Sequence, residues 1–490
     1  MMIELNRING APLGEQIADG ISVLIRRGGL LAGARLPSVR QLAERLGVSA
    51  FTVIAGYDRL CARNLIASRP GAGYFVVGLN APREASLDEA LGADPTEAIG
   101  FALQSLDTTG AALHAGSGFL PESWLTDVVP TSLVARVAKG RNALLAPSPA
   151  QGSMALRRQL SDRLRGTGII AHPNRIVTTI GASQALDLLL RTLLRPGDAV
   201  MVEDPGYVFF SAQARAMDLN LVPVPRLPDG PDMDALEAAL QQHRPRLFIT
   251  QTLLHNPTGG STSAAKCHRL LLLAERHDLS IVEDDVYGDL APHGAMRLAQ
   301  LDELNRVCYV SSFSKVLSPA LRVGFVALPA SALDRVVGQK VLSTLASPGI
   351  TEAIVEGVLG SGRYHRHVQQ VRTRLATFRR GALAMLGDAG VVLDPATADG
   401  LFLWGRIPGM TDPDTLVRRA LDAGILLAKG RLFSPGGRFE DYLRFNIANS
   451  CDPRLAAFLK AAIKSTAAGR NVTPIRPRSA AAAAAKPLQQ

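Results

Sequence analysis

The sequence predicts an α/β protein in which a short helical head precedes a doubly wound, mostly parallel sheet. From about residue 112 to residue 464, short apolar runs rich in β-branched residues alternate with longer segments of helical spacing. Such alternation is typical of parallel strands joined by crossover helices. Residues 1–78 are instead helical and rich in arginine, and they close on a glycine-rich stretch. A chain of 490 residues has room for about two to four domains.

Composition excludes several classes of protein. Hydrophobic residues make up 47% of the chain and charged residues 20%, which is enough apolar material for a large core and excludes global disorder. No apolar run approaches the roughly 18 residues that cross a bilayer, and the first residues do not look like a secretion signal. The four cysteines are scattered without a CxxC pair, so we expect reduced thiols and neither disulfides nor a metal site. These observations together favour a cytoplasmic protein without a membrane partner.

The positive charge is concentrated at the two ends of the chain. The formal net charge is +10, and the isoelectric point is about 9.7. Residues 1–78 hold nine arginines against five acidic residues, and residues 464–490 hold five basic residues and no acidic one. The region between them is therefore close to neutral. Basic segments of this kind favour a polyanionic partner such as nucleic acid.

Residues 36–60 predict a helix-turn-helix. Ser38 can cap the first helix, with Gln41 completing a capping box, and Gly47 supplies a left-handed stop. Ser49 can cap the second helix after a short turn. The apolar faces of the two helices are Leu42, Ala43 and Leu46, then Val53, Tyr57 and Leu60. The second helix of such a motif can enter the major groove, although helix spacing alone leaves an ordinary helical hairpin with exposed arginines as an alternative.

A hairpin wing is predicted for Leu65–Phe75, and with it the segment from Pro12 to Phe75 resembles the winged-helix module of the GntR regulator family. The shared strings are Leu-Pro-Ser-x-Arg-x-Leu-Ala-x-x-Leu-Gly-Val-Ser and a Gly-x-Gly-Tyr wing. The resemblance implies binding to double-stranded DNA through phosphate or base contacts of three residues and close approach of two wing glycines: Arg40, Ser49, Thr52, Gly71 and Gly73. One departure is Ala50, where the family usually has a base-reading arginine. Either neighbouring arginines read the bases or the operator differs.

Two further segments have no clear periodicity. Residues 79–111 are polar and mixed, with Pro82 and Pro95, and we interpret them as a linker that can contain short helices. Residues 465–490 are basic and rich in alanine, with an unbroken Ala480–Ala485, and we expect a disordered tail.

The larger region contains six runs that look like buried strands: Arg175–Ile180, Ala199–Val202, Leu247–Thr250, Leu279–Val282, Val307–Val310 and Arg322–Leu328. Helical spacing between them is clearest at Ser183–Leu194 and Ser263–His277. Ligands bind at the carboxyl ends of strands in open α/β sheets, so the residues that follow these runs are the candidate site.

Five motifs lie at these strand ends. Lys315, flanked by Ser312 and Ser314 and followed by Arg322, suits a Schiff-base lysine beside a phosphate. Two further motifs suit a pyridine ring with a phenolic oxygen: the carboxylate of Asp284 can pair with the ring nitrogen, and the amide of Asn256 can donate to the oxygen. The backbone N–H groups of Ala182 and Ser183 at a helix start can bind a phosphate, and the ring of Tyr207 can stack on the ligand. Turns, helix caps and a solvated lysine are the ordinary alternatives for each motif alone. Their joint occurrence at strand ends favours a ligand site.

The order and spacing of these motifs over residues 112–464 resemble the fold-type I pyridoxal-phosphate aminotransferases, which implies a smaller carboxyl-terminal α+β subdomain. By this resemblance Lys315 forms the internal aldimine and Asp284 pairs with the pyridinium. The ring oxygen is bound by Asn256 and Tyr287, and Tyr207 stacks on the ring. The phosphate is bound by the amides of Ala182 and Ser183 together with Ser312, Ser314 and Arg322.

Arg444 lies in a segment that matches the one whose arginine binds the substrate α-carboxylate, although a surface arginine on a strand is the alternative. A tyrosine that often reaches the phosphate of the partner subunit is missing near Leu145–Gly152. The resemblance therefore does not extend to this contact between subunits.

A GntR-type winged helix joined to an aminotransferase-like module resembles the MocR subfamily of bacterial transcription regulators. The resemblance implies a homodimer whose large module senses a small amino compound by external aldimine formation at Lys315, with paired operator half-sites. Two alternatives stay open: a working aminotransferase with an accessory winged helix, and an enzyme subunit that uses the winged helix for protein contacts. The effector could be an amino acid, a polyamine, a taurine-like amine or the cofactor itself.

Overall fold

The computed structural model describes residues 12–26, 33–62, 65–69, 73–76, 93–107, 113–140, 142–395 and 399–469. The chain divides into a first unit, Met1–Ala90, and a second unit, Leu91–Gln490. The predicted tail falls outside the described residues from residue 470 onward, and residues 465–469 belong to the last helix.

The first unit is a helix-turn-helix with a wing. Its elements are α1 (Leu13–Arg26), α2 (Val39–Leu46), α3 (Ala50–Ala62), β1 (Ile66–Arg69) and β2 (Gly73–Val76), with β1 and β2 antiparallel. Both halves of the predicted capping box at Ser38 and Gln41 form, and Gly47 ends α2 with φ 60°. The predicted apolar face of α3 is buried, and Tyr57 donates to the Pro37 carbonyl at 2.7 Å. The helix-turn-helix and wing are therefore confirmed.

The second unit contains an eight-stranded mixed sheet. Its strands are β3 (Ile176–Thr179), β4 (Ala199–Asp204), β5 (Asn220–Leu227), β6 (Gly230–Pro231), β7 (Leu247–Thr250), β8 (Ser280–Asp284), β9 (Val307–Ser312) and β10 (Gly324–Ala327). They lie in the order β3-β10-β9-β8-β7-β4-β5-β6, and five neighbours, β9 to β5, are parallel. β10 is antiparallel to both of its neighbours. All six predicted strands are present, and β5 with the short β6 was missed.

Helices cover both faces of this sheet. In β8, Ile281 belongs to one apolar core and the adjacent Val282 to a second, so the sheet is buried on both sides as a doubly wound fold requires. The helices of this unit are α4 (Ala93–Leu106), α5 (Thr131–Lys139), α6 (Asn142–Leu145), α7 (Met154–Gly166), α8 (Gly181–Leu193), α9 (Val208–Ala216), α10 (Met233–His243), α11 (Ala264–Arg276), α12 (Leu298–Asp302), α13 (Leu333–Thr344), α14 (Gly349–Gly360), α15 (Arg363–Asp388), α16 (Pro413–Asp422) and α17 (Pro453–Gly469).

A smaller antiparallel sheet forms the predicted carboxyl-terminal subdomain. Its strands are β11 (Val392–Leu393), β12 (Phe402–Arg406), β13 (Ala428–Lys429) and β14 (Tyr442–Asn446), in the order β11-β12-β14-β13. In the sequence, α15 precedes this sheet, α16 lies between β12 and β13, and α17 follows β14.

The segment predicted as a linker, residues 79–111, contains a packed helix in its second half. Residues 93–106 form α4, whose Ala98 is buried against Val208 and Trp404 in an apolar cluster. Part of this segment is therefore a packed helix of the second unit, because its apolar contacts come from residues far away in the chain.

Among the described residues, every helix is too short or too polar to span a bilayer. The same residues contain no cluster of histidine, cysteine, aspartate and glutamate placed to hold a metal ion. All four cysteines are free thiols.

Candidate functional site

A cavity of about 370 Å³ lies beyond the carboxyl ends of β3, β4, β7, β8 and β9. The structure brings all eleven predicted cofactor and substrate residues to its wall: Ala182, Ser183, Tyr207, Asn256, Asp284, Tyr287, Ser312, Ser314, Lys315, Arg322 and Arg444. The expectation that a ligand binds beyond the carboxyl ends of the parallel strands therefore predicted the position of the cavity.

Lys315 follows β9 and is half-buried in this cavity. Its Nζ donates to the Gly118 carbonyl at 3.1 Å and lies 4.2 Å from the centre of the Phe119 ring. Burial, together with the positive charge of Arg444, lowers the pKa of Lys315 to about 7, against the opposing effect of Asp284. A large fraction of the amine is therefore uncharged at neutral pH, which is the form that attacks a carbonyl carbon.

Asp284 ends β8, and one of its oxygens has no partner among the described residues. Its Oδ2 accepts from Gln251 Nε2 at 2.7 Å, while Oδ1 is buried and unpaired. Burial raises the pKa of Asp284 to about 7. A buried carboxylate of this kind lacks a cationic N–H donor, which is what a protonated pyridine nitrogen offers.

The start of α8 forms an anion-binding corner. Among the described residues no side chain caps the start of this helix, so its first backbone N–H groups are left for a ligand. Arg322 lies there, with Nη1 3.2 Å from Ser314 Oγ, and Ser312 Oγ lies 3.1 Å from Ser314 Oγ. Gly181 has φ 76°, and a Cβ on it would be 2.6 Å from Arg322 Nη2. Helix end, hydroxyls and guanidinium together fit a phosphate group.

Asn256 is held by its backbone and its side chain. Its backbone N–H donates to Gln251 Oε1 at 2.9 Å, and its Oδ1 accepts from Arg444 Nη1 at 2.7 Å. The amide nitrogen is thereby the end left to donate. Burial raises the pKa of both Tyr287 and Tyr207, which keeps their hydroxyls protonated and able to donate.

Arg444 lies on β14 and is 2% exposed, so the alternative of a surface arginine is wrong. Its guanidinium carbon lies 4.5 Å from the centre of the Phe402 ring and 4.7 Å from the centre of the Phe433 ring. Its Nη2 donates to the Gly116 carbonyl, and its Nε is buried without a partner among the described residues. Burial lowers the pKa of Arg444 to about 10, which leaves it positive at neutral pH. A buried cation that meets only neutral acceptors suits an anionic ligand.

Sequence reasoning missed a buried network behind the cavity. Glu203 accepts from the Gln251 N–H at 3.0 Å, pairs with Arg226 and lies 3.3 Å from His255 Nε2. Gln251 in turn bonds Asp284 and the Asn256 backbone, so this network fixes two of the predicted cofactor residues. The signal was weak, because a lone Glu or Gln at a strand end has many ordinary explanations.

The cavity wall also includes residues amino-terminal to the sheet that sequence reasoning missed: Phe101, Ser105 and Leu106 of α4, with Gly118 and Phe119. No motif marked them. They come from the predicted linker and from the segment that follows it.

The predicted DNA-contacting residues lie in the first unit. Arg40 and Ser49 are exposed, and Ser49 Oγ accepts from the Thr52 N–H at 3.1 Å, which caps α3. Gly73 is exposed with φ 101°, and Gly71 lies outside the described residues. At the start of α3, Ala50 is followed by Phe51, which is 80% exposed. The DNA contacts themselves stay predictions.

Comparison with known proteins decides the family. Residues 13–76 match the model of the bacterial regulatory proteins of the GntR family, and residues 121–461 match that of aminotransferase class I and II. The chain is 31% identical over 450 residues to the uncharacterized HTH-type transcriptional regulator YjiR of Escherichia coli, covering 89% of this chain and 94% of that protein. It is also 29% identical over 448 residues to the probable rhizopine catabolism regulatory protein MocR of Rhizobium meliloti, covering 86% and 87%.

The chain belongs to the MocR-type regulators of the GntR family. Among solved structures, this regulator is similar to the alpha-aminoadipate aminotransferase LysN of Thermus thermophilus, complexed with N-(5'-phosphopyridoxyl)-L-leucine. The TM-score is 0.68 at 28% identity, and the match covers 78% of this chain and 99% of that one. The predicted fold class is confirmed. The MocR-type regulator is a DNA-binding protein, and its aminotransferase-class domain implies pyridoxal 5'-phosphate as the cofactor, as the sequence predicted.

Proposed function

We propose that this regulator senses a small amino compound at a pyridoxal phosphate bound in the cavity. The observation that supports the proposal is the convergence of the half-buried Lys315 with the buried Asp284 and Arg444 on one cavity of a chain whose first unit is of the GntR type. A cofactor with an amino-acid ligand supplies the partner that each of them lacks. Lys315 would meet a carbonyl carbon, Asp284 a cationic N–H and Arg444 a carboxylate.

The residues would hold the cofactor as follows. The start of α8, with Ser312, Ser314 and Arg322, binds the phosphate, and Asp284 pairs with the ring nitrogen. Tyr287 and the Asn256 amide bind the ring oxygen, and Tyr207 lies against the ring. When bound, the cofactor supplies an electrophilic aldehyde carbon that forms a reversible bond with an amine.

Sensing then uses two residues of the chain. Lys315 would hold the cofactor through its amine, and the lowered pKa of that amine, about 7, lets it accept or release a proton near neutral pH when an amino compound takes its place. Arg444 binds the carboxylate of the compound through its guanidinium. The compound changes DNA binding only if its affinity differs between the two arrangements of the regulator.

The first experiment compares cofactor absorbance in the full-length protein and in Lys315→Ala. We expect the lysine-bound absorbance band, and its response to amines, to be lost in Lys315→Ala. Lys266→Ala, which removes a lysine paired with Asp229 outside the cavity, is the control and should keep both. Persistence of the band and its amine response in Lys315→Ala would show that the assignment of Lys315 is wrong.

The DNA role is tested separately. Arg40→Ala with Thr52→Ala should weaken operator binding and leave cofactor absorbance intact. Arg165→Ala, an exposed arginine of the second unit that carries the same charge, should leave both unchanged. Equal loss of affinity in the control would mean that general charge, and not the predicted contacts, determines binding.

We also propose a homodimer that reads paired operator half-sites. Leu342 in the last turn of α13 and Leu345 directly after that helix are 82% and 70% exposed, which favours an apolar partner surface. Light scattering of Leu342→Lys with Leu345→Lys should show a shift toward monomer. An unchanged dimer would remove this surface from the proposal.

Aminotransferase activity is the second candidate function, because Lys315, Asp284 and Arg444 are also the groups that transamination requires. Rapid multiple turnover with amino donors and keto acids would favour that function over sensing. Slow or absent turnover together with an amine-dependent change in operator affinity would favour the sensor.

A further inference from the structure

The helix α4 forms one wall of the cavity. Its Phe101, Ser105 and Leu106 line the cavity, and Phe101 lies with its ring centre 5.8 Å from the Arg444 guanidinium carbon. A ligand whose carboxylate is bound by Arg444 therefore has its remaining atoms beside this helix.

The Lys315 amine and the Arg444 guanidinium, which would bind the two ends of the ligand, lie close together. A Cβ built on Gly118 would lie 3.4 Å from Lys315 Nζ and 3.9 Å from Arg444 Nη2, so both nitrogens surround one small space. An α-amino acid carries its amine and its carboxylate on the same carbon, and it can reach both places at once. The hydrogen at Gly118 leaves room for that carbon.

The charges of the cavity are all accounted for by the proposed function. Of the described residues that line it, the charged ones are Asp284, Lys315, Arg322 and Arg444. These serve the ring nitrogen, the amine, the phosphate and the carboxylate. A charged ligand side chain would therefore find no free counter-charge among these residues, and contact with them would remove part of its hydration without compensation.

The remaining wall is apolar with one hydroxyl. It includes Phe101, Leu106, Phe119, Val208 and Phe209. Ser105 Oγ is buried there and has no hydrogen-bond partner among the described residues. The wall thus offers van der Waals contact and a single hydrogen bond to a ligand side chain.

We propose that the effector is an α-amino acid with an uncharged, mainly apolar side chain, and that α4 is the wall that selects it. The inference rests on the proposed function and names the class of its ligand. Phe101 and Leu106 contact the side chain, and Ser105 can donate one hydrogen bond to it.

The test titrates full-length, cofactor-loaded protein with leucine, methionine, glutamate and lysine, followed by the change in cofactor absorbance. We expect leucine and methionine to bind at least about tenfold more tightly than glutamate and lysine. Phe101→Ala should weaken leucine at least about tenfold and change the affinity for alanine little, because alanine does not reach the ring. Leu103→Ala, on the same helix and 59% exposed, is the matched control and should bind leucine normally.

A second variant adds a positive charge to the wall. Ser105→Arg should raise the affinity for glutamate relative to leucine, because it supplies the missing counter-charge. Operator affinity measured at a leucine concentration near the Kd of the original protein is the independent readout, and it should change much less in Phe101→Ala than in the original protein at that concentration.

The outcomes separate the two proposals. Preference for glutamate or lysine over leucine, or leucine binding that is the same in Phe101→Ala and Leu103→Ala, would overturn this inference and leave the sensor intact. A spectral response to amines but to no amino acid, in protein that carries the cofactor, would overturn this inference alone. Absence of a response to every amine, amino acids included, would overturn the sensor and this inference with it.

Discussion

Glu97→Gln should weaken the ion pairs that connect α4 to the carboxyl-terminal subdomain. Glu97 Oε1 lies 3.0 Å from Lys429 Nζ, and Arg431 donates to both oxygens of the same carboxylate. Burial acts to raise the pKa of Glu97, but the hydrogen bonds from Arg431 and Lys429 prevail and lower it. The carboxylate is therefore charged and paired at neutral pH, and the pairing is lost only as the pH falls through that lowered pKa.

The free energy of this contact can be bounded from its surroundings. The Glu97 side chain is 36% exposed, so the contact is weaker than a buried charged hydrogen bond and stronger than a surface pair. Asp414 also pairs with Lys429 and Arg431, at 2.6 and 3.1 Å, so neither cation loses its last partner. The large penalty of about 3–5 kcal/mol for an isolated buried charge therefore does not apply. We expect a loss of about 1–2 kcal/mol, a factor of about 5–30 in an equilibrium constant.

Amide hydrogen exchange measures this loss, because α4 must open for its amides to exchange. We expect the amides of residues 97–106 to exchange about 5–30 times faster in Glu97→Gln, with little change in β8. Asp414→Asn is the control, since it removes a carboxylate from the same two cations and leaves the Glu97 contact in place. Unchanged exchange in Glu97→Gln, or equal acceleration in both variants, would refute the idea that Glu97 fastens the helix.

Three further predictions test other parts of the chain. Ser38→Ala removes the hydroxyl that accepts from the Gln41 N–H at 3.3 Å, and we expect α2 to lose about 1 kcal/mol, seen as roughly fivefold faster amide exchange. Gly181→Ala puts a methyl group 2.6 Å from Arg322 Nη2 at a residue with φ 76°, and cofactor affinity by dialysis should fall at least about tenfold. Because burial lowers the pKa of Lys315 to about 7, the uncharged amine gains as pH rises through 7, and the cofactor should attach to apoprotein faster at pH 8 than at pH 6. A rate that keeps rising toward pH 10 would contradict the last prediction.

The convergence of the predicted site residues on one cavity could be predicted, because it follows from local sequence order. Lys315, Asp284 and Asn256 each follow a buried strand, and parallel strands bring their carboxyl ends to one edge of the sheet. The helix-turn-helix could also be predicted from a short window of sequence, since Ser38 and Gly47, which cap the two ends of α2, lie within ten residues of each other.

The elements that were missed depend on distant contacts. The helix α4 has a proline and a mixed composition, and it is stabilised by Trp404 and by the cations Lys429 and Arg431, more than 300 residues away. β5 contains Pro223 and Pro225, which argue against a central strand, and it lies near the edge of the sheet, where prolines are tolerated. Neither position in the fold can be read from a short window of sequence.

The same long separation sets an order of events during synthesis. Glu97 and Arg431 are 334 residues apart, so at about 5–20 residues per second the ribosome needs roughly 15–70 s to pass from one to the other. The first unit has its own apolar core and can fold within that interval. The wall of the cavity is fastened only when nearly the whole chain has been made. Each new molecule therefore passes through a period in which its DNA-reading head is complete while its ligand cavity is not.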